Sequence, residues 1–202
     1  MNDGFLGKAY AARDADGTRT LYDEWAATYE AELTQNGYAT PGRCAADLAT
    51  QMEDLAGPIL DFGCGTGLSG VALQAVGFSV IDGVDLSADM LEGAKLKGIY
   101  RNLRQIEADE ALDLSGYTAV TAIGVIGAGA APIQVFDILM EGLDSDAYCV
   151  LSFNDHALED PKNEARINAW VESGRARLLS ETYGDHIPGI GIGSNVYVLQ
   201  KT

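Results

Sequence analysis

The stretch Leu60-Asp61-Phe62-Gly63-Cys64-Gly65-Thr66-Gly67-Leu68-Ser69-Gly70 constrains this chain more than any other. It joins a short apolar run, bounded by Pro58 and Gly63, to a segment that begins a helix near Leu68. Glycines at 63, 65 and 67 let the backbone turn tightly and bring bare peptide groups against a ligand where that helix begins. Strand, glycine turn and helix in this order make the first half of a parallel βαβ unit.

The rest of the chain keeps that beat. Further strands are expected near Ser79 to Val84, Leu103 to Glu107, Thr118 to Gly124, Ala147 to Phe153, Ala176 to Thr182 and Asn195 to Leu199. Helices fit Leu68 to Ala75, Ala88 to Lys97, Ile133 to Glu141 and Pro161 to Glu172. Seven strands with helices between them imply an α/β protein, a Rossmann-like doubly wound sheet. The segment Tyr183 to Ser194 holds Pro188 and several glycines and leaves no room for a helix, so the last two strands form a hairpin-like pair, one running antiparallel to the rest.

Upstream, Leu21, Trp25, Tyr29 and Leu33 recur at a spacing of four along a helix from about Thr18 to Thr34. A second helix is expected to start with Thr40 as its N-cap and Pro41 behind it, running to about Leu55. The 202 residues then form one domain, an N-terminal helical cap over 1–56 and a Rossmann-like core over 57–202.

Charge narrows the partners. Thirteen Lys+Arg against 30 Asp+Glu leave a net charge of −17, which offers no basic face for phosphodiester or anionic lipid. No apolar stretch approaches the roughly 20 residues of a membrane helix; Ala119 to Pro132, with its glycines, comes nearest. Cys44, Cys64 and Cys149 are scattered, and no leader pattern opens the chain, so a cytoplasmic location without disulfides is expected. Two distant histidines and dispersed thiols offer no metal-ligand spacing, so no metal site is expected.

Two acids bear on the ligand. Asp61, at the end of the first strand, is expected to point its carboxylate into the crevice, where it repels a pyrophosphate and attracts a cation. S-adenosylmethionine carries an ammonium and a sulfonium, so the sign of the charge favours it. Asp85, in Gly83-Val84-Asp85-Leu86-Ser87, ends the second strand and can accept both hydroxyls of a ribose, a task common to NAD and S-adenosylmethionine folds. Gly65, Gly67 and Gly70 also satisfy the dinucleotide spacing, so an NAD(P)-dependent oxidoreductase stays open as an alternative.

Asp-x-Gly-x-Gly-x-Gly followed by Val-Asp-Leu-Ser resembles the first two motifs of class I S-adenosylmethionine-dependent methyltransferases. The resemblance implies a sheet of order 3-2-1-4-5-7-6 with strand 7 antiparallel. It implies that Asp61, Gly63, Gly65, Thr66 and Gly67 hold the methionine part and Asp85 the ribose. Leu86 and Met90 then cover the adenine, with Met90 as a core residue the alternative. Asp109 or its neighbour Glu110 lies near the adenine amino group, and Gly124 ends strand four beside the cofactor. Tyr22-Asp23-x-Trp25-Ala26-x-x-Tyr29 resembles the N-terminal helix of small-molecule methyltransferases of the ubiquinone-biosynthesis type, whose aromatics close over the cofactor. Val150 to Arg166, with Tyr183-Gly184-x-His186-x-Pro188-Gly189, resembles the Williams-Beuren-region methyltransferase-like proteins.

The expected function is therefore transfer of a methyl group to a small-molecule acceptor by in-line displacement, with a catalytically silent S-adenosylmethionine-binding regulator as a further alternative. On the acceptor side, Asn154, His156 and His186 fall in expected loops at the carboxyl ends of the strands, and the histidines are the side chains that titrate near neutrality.

Overall fold

The computed structural model describes residues 30–108, 110–127 and 130–202. Residues 30–35 are helical and lead into α1 (Thr40–Gln51). Then follow β1 (Ile59–Phe62), α2 (Leu68–Ala75), β2 (Ile81–Asp85), α3 (Ala88–Lys97), β3 (Asn102–Gln105) and β4 (Ala119–Ala122). The chain continues with α4 (Gln134–Gly142), β5 (Tyr148–Asn154), the short α5 (Asp155–Leu158), α6 (Pro161–Glu172), β6 (Ala176–Ile187) and β7 (Ile192–Lys201).

The strands form one sheet of order β3-β2-β1-β4-β5-β7-β6. Neighbours from β3 to β5 pair in parallel, and β7 runs antiparallel between β5 and β6. The expected topology is therefore the observed one. The connections through α2, α3, α4 and the α5–α6 pair bring the chain back to start the next strand in the same direction, whereas the turn Pro188–Ile190 can only reverse it.

Period-two alternation sends successive side chains to opposite faces. Ile59 joins Cys44, Leu48, Leu73, Phe78 and Val150 beneath α1 and α2, while Leu60 joins Val120, Phe136, Leu139, Phe153 and Trp170 beneath α4 and α6. All three cysteines are free and buried, and burial pushes the Cys149 thiol up to about 12. These thiols are packing groups.

Local signals placed most helix ends. Ser87 caps α3 by accepting from the Met90 N–H at 3.1 Å, and Asp160 caps α6 ahead of Pro161. Thr40 departs from expectation: Ala39 is the N-cap residue of α1, and no side chain caps that helix. The Thr40 hydroxyl instead lies 2.7 Å from His186 Nδ1 and 3.0 Å from Ser194 Oγ, drawn inward by partners that its local sequence does not contain. The last hairpin is also longer than expected, because β6 runs on to Ile187. Register shifts between Leu178 and Ser180 and between Asp185 and Ile187 mark irregularities in it.

Candidate functional site

The carboxyl ends of β1 and β2 meet at the glycine loop. The Gly63 and Cys64 N–H groups donate to the Val84 carbonyl at 2.8 and 3.0 Å, tying the loop to β2. Gly63 has φ +69° and Gly65 φ +53°, left-handed values that suit glycine. Their surroundings differ. A Cβ on Gly63 would stand 2.4 Å from Val125 Cγ2, so the segment after β4 closes onto the loop there. A Cβ on Gly65 would meet nothing within 4 Å, which leaves open space against bare backbone.

Asp85 sits beside that space. Its Oδ2 accepts from the Gly65 N–H at 2.8 Å and its Oδ1 from the Ser87 N–H at 2.9 Å. Both carboxylate oxygens are thus fixed by backbone N–H groups at the end of β2. Next to it, Thr66 is buried, and its Oγ1 is the buried side-chain polar atom without a hydrogen-bond partner among the described residues. Leu86 is partly buried against the core, and its carbonyl accepts from Gln105 Nε2 at 2.9 Å.

Asp61 differs from the expectation. It is 1% exposed, and its carboxylate is enclosed by three hydroxyls rather than open to the crevice. Ser69 Oγ and Tyr100 Oη donate to Oδ2 at 2.6 and 2.7 Å, and Thr121 Oγ1 donates to Oδ1 at 2.6 Å. The physical reason is position, since β1 continues to Phe62 and places Asp61 one residue inside the strand, level with Gly83 and Thr121. Desolvation outweighs the three hydroxyls and holds its carboxyl above the usual carboxylate range, with the Asp85 charge adding to the effect. Lys97, the cation packed near Gly67, is paired with Glu30. Two acids, Asp61 and Asp85, thus stand at the loop, an arrangement less suited to a pyrophosphate than to a ligand with cationic groups.

Met90 is 1% exposed and takes the core alternative, because the face of α3 that bears it packs inward with Leu91 and Ala94. Glu110 pairs with Arg104 and accepts from the Glu107 N–H at 3.2 Å, and that cation holds its carboxyl below the ordinary value. Asp109, Tyr22, Trp25 and Tyr29 lie outside the described residues.

At the β4 and β5 ends, Gly124 donates its N–H to Ser152 Oγ at 2.9 Å, and a Cβ there would stand 2.8 Å from Tyr38 Oη. Tyr38 is therefore an aromatic residue over the carboxyl end of β4. Sequence reasoning missed it because it falls between two helices, with only the flanking Gly37 as a signal. The His186 ring meets Tyr38 edge-on at 5.2 Å between centroids.

His186 is not the exposed loop histidine expected. It lies in β6, is 5% exposed, and shares a buried network with Thr40 and Ser194, to which Arg43 adds bonds at 2.9 Å to Ser194 Oγ and 2.7 Å to the Thr182 carbonyl. Burial lowers its pKa to about 4, so the ring is neutral and a weak base. Asn154 accepts from the Ala157 N–H at 3.0 Å and caps α5, a helix where a loop was expected. His156 lies on α5 with its side chain 40% exposed, 3.7 Å from Glu159. Asp155 is engaged by Tyr183 Oη at 2.8 Å and the Gly193 N–H at 2.7 Å. Of the two acceptor-side histidines expected, His156 is the one whose side chain is partly exposed.

A family model described as "Methyltransferase domain" matches residues 35–187. A human protein, methyltransferase-like protein 27, is 43% identical over 88 residues, which cover 41% of this chain and 35% of that protein. The match thus spans about a third of that relative's length. Among solved structures, magnesium protoporphyrin IX methyltransferase from Synechocystis PCC 6803 with bound SAH superposes with a TM-score of 0.63 at 18% identity, covering 83% of this chain and 84% of that one. A S-adenosylmethionine-dependent methyltransferase from Mesorhizobium loti superposes with a TM-score of 0.59 at 14% identity, covering 77% and 96%.

Proposed function

The chain belongs to the class I S-adenosylmethionine-dependent methyltransferases, and from that premise we propose that it moves a methyl group from S-adenosylmethionine to a small-molecule acceptor by in-line displacement. The cofactor is S-adenosylmethionine. The observation that carries the reading is the pairing of Asp85 with Gly65. A carboxylate fixed by two backbone N–H groups ends β2 beside backbone left bare for close approach, the place where a ribose would be held. The orphaned Thr66 hydroxyl at the same loop and the two acids there fit the same group.

In this reading Asp85 binds the ribose, the backbone at Gly65 and Gly67 the methionine part, and Leu86 borders the adenine. The aromatic residues Tyr22, Trp25 and Tyr29, with Asp109, complete the contacts expected from the sequence. When bound, the cofactor supplies an electrophilic methyl on a sulfonium whose charge disperses as the bond breaks. The chain's own task is then alignment and exclusion of water. Tyr38 and the segment after β4 wall the side from which an acceptor approaches, and His156 takes a proton from an acceptor that must lose one. A net charge of −17 argues against a phosphodiester acceptor, and no helix among the described residues is long and apolar enough to cross a membrane.

Calorimetric titration with S-adenosylhomocysteine, run beside NADH, tests the cofactor. Saturable binding of the first alone is expected, and NADH binding in its place overturns the reading. Incubation with methyl-labelled S-adenosylmethionine and a cell extract tests the acceptor. Label is expected in the small-molecule fraction, and label confined to protein or nucleic acid refutes that part.

A further inference from the structure

Tyr100 lies between α3 and β3, outside both motifs, yet its ring occupies the space that side chains on three glycines would need. A Cβ on Gly70 would stand 2.4 Å from its Oη, one on Gly83 2.9 Å from its Cδ1, and one on Gly67 3.1 Å from its Cε2. Gly70, the third glycine of the apparent dinucleotide spacing, is thereby explained by a tyrosine rather than by a pyrophosphate. The phenol is polar where it arrives: Oη accepts from the Gly70 N–H at 3.1 Å and donates to Asp61 Oδ2 at 2.7 Å. One side chain thus bonds the first turn of α2 and the buried acid of β1 while its ring lies against Gly83 of β2. Burial and the Asp61 charge push the phenol well above its usual value, so the proton stays on the tyrosine and the donor direction is set.

We propose that Tyr100 is a positioning residue for the cofactor loop. Through Gly70 and Asp61 it holds residues 63–70 in the form that receives the methionine part of S-adenosylmethionine, and Asp61 serves the cofactor through this cage rather than as its direct ion partner. The proposal rests on the cofactor reading above and adds a residue to that site.

The molecule contains a control. Tyr117 Oη donates to Asp82 Oδ2 at 2.8 Å, and Arg101 Nε and Asn102 Nδ2 donate to Oδ1 of the same acid at 3.0 and 2.9 Å. This is the same phenol-to-carboxylate bond, placed toward the amino end of β2 and away from the loop. Tyr100→Phe, Asp61→Asn, their double variant and Tyr117→Phe are titrated with S-adenosylhomocysteine, and the ligand-free proteins are followed by hydrogen exchange.

Tyr100→Phe is expected to weaken binding about ten-fold and to speed exchange across residues 63–70. The double variant should bind no more weakly than the weaker single one, since both substitutions break one network. Tyr117→Phe should lower the thermal midpoint and leave the affinity unchanged. Equal affinity in wild type and Tyr100→Phe overturns the proposal alone, as do additive losses in the double variant or an equal loss in Tyr117→Phe. A wild-type chain that binds no S-adenosylhomocysteine overturns the cofactor reading and the proposal together.

Discussion

At the β1–β2 end of the carboxyl edge, the hydrogen bonds that shape the site join residues 8, 20, 39 and 60 positions apart: Ser69 to Asp61, Gly65 to Asp85, Tyr100 to Asp61, Thr121 to Asp61. At the β5–β7 end, the bonds from Thr40 and Arg43 to β6 and β7 span 139 to 154 positions. The first set closes between β1 and β4, while the second forms only when α1 docks on the final hairpin, a closure with a larger entropic cost. Side chains in the first region therefore act mainly on ligand affinity. Those in the second act mainly on stability, and through it on the wall where Tyr38 stands.

The sharpest test of that division is Asp85→Ala. Loss of two charge-assisted bonds to a ribose costs about 4 kcal/mol, roughly a 1,000-fold loss of S-adenosylhomocysteine affinity by calorimetry. A loss below ten-fold breaks the assignment.

His186 should behave in the opposite way. Its folded pKa of about 4 lies below the ordinary 6.5, so the native state favours the neutral ring. The stability it contributes is whole above pH 6.5 and is lost as the pH falls toward 4, about 3 kcal/mol in all. In urea denaturation at pH 7 and pH 4.5, His186→Gln should show a smaller difference between the two pH values than the wild type. Its affinity at pH 7 should stay within about two-fold of the wild type. A variant that keeps the full acid sensitivity refutes the buried network as its source.

Two glycines refine the contrast. Gly65→Ala forces a left-handed residue at a cost of about 1 to 2 kcal/mol and fills the open space beside Asp85, so affinity should fall about ten-fold or more. Gly184→Ala brings a Cβ to 3.1 Å from the Arg43 guanidinium, which must shift against its bonds to Thr182 and Ser194, and should cost about 1 to 2 kcal/mol with affinity unchanged. Thermal melts read beside calorimetry separate the two, and a reversed order breaks the comparison.

Legibility followed the same boundary. The antiparallel last strand and the boundaries of α2, α3 and α6 were readable because periodicity, caps and glycine turns are short-range signals, whereas the strand order was implied by the family resemblance of the two motifs. The place of Asp85 at the end of β2 was readable because the short apolar run before it marks a strand. Asp61 was misread by one step along β1, and that step moved its carboxylate from the crevice into a cage of hydroxyls. Thr40 had the local signature of an N-cap, and Met90 equally that of a core residue or of a lid. Only their neighbours in space decided between these.

The sequence by itself determined the α/β class and the antiparallel last pair, since each rests on patterns within one or two elements, and its two motifs carried the resemblance that implied the sheet order and the cofactor. The tertiary structure alone decided that Asp61 is enclosed, that His186 is a neutral packing group, and that Tyr38 and Tyr100 flank the site. A side chain's role in these cases is set by its burial and its hydrogen-bond partners, and those partners come from strands and helices far away along the chain.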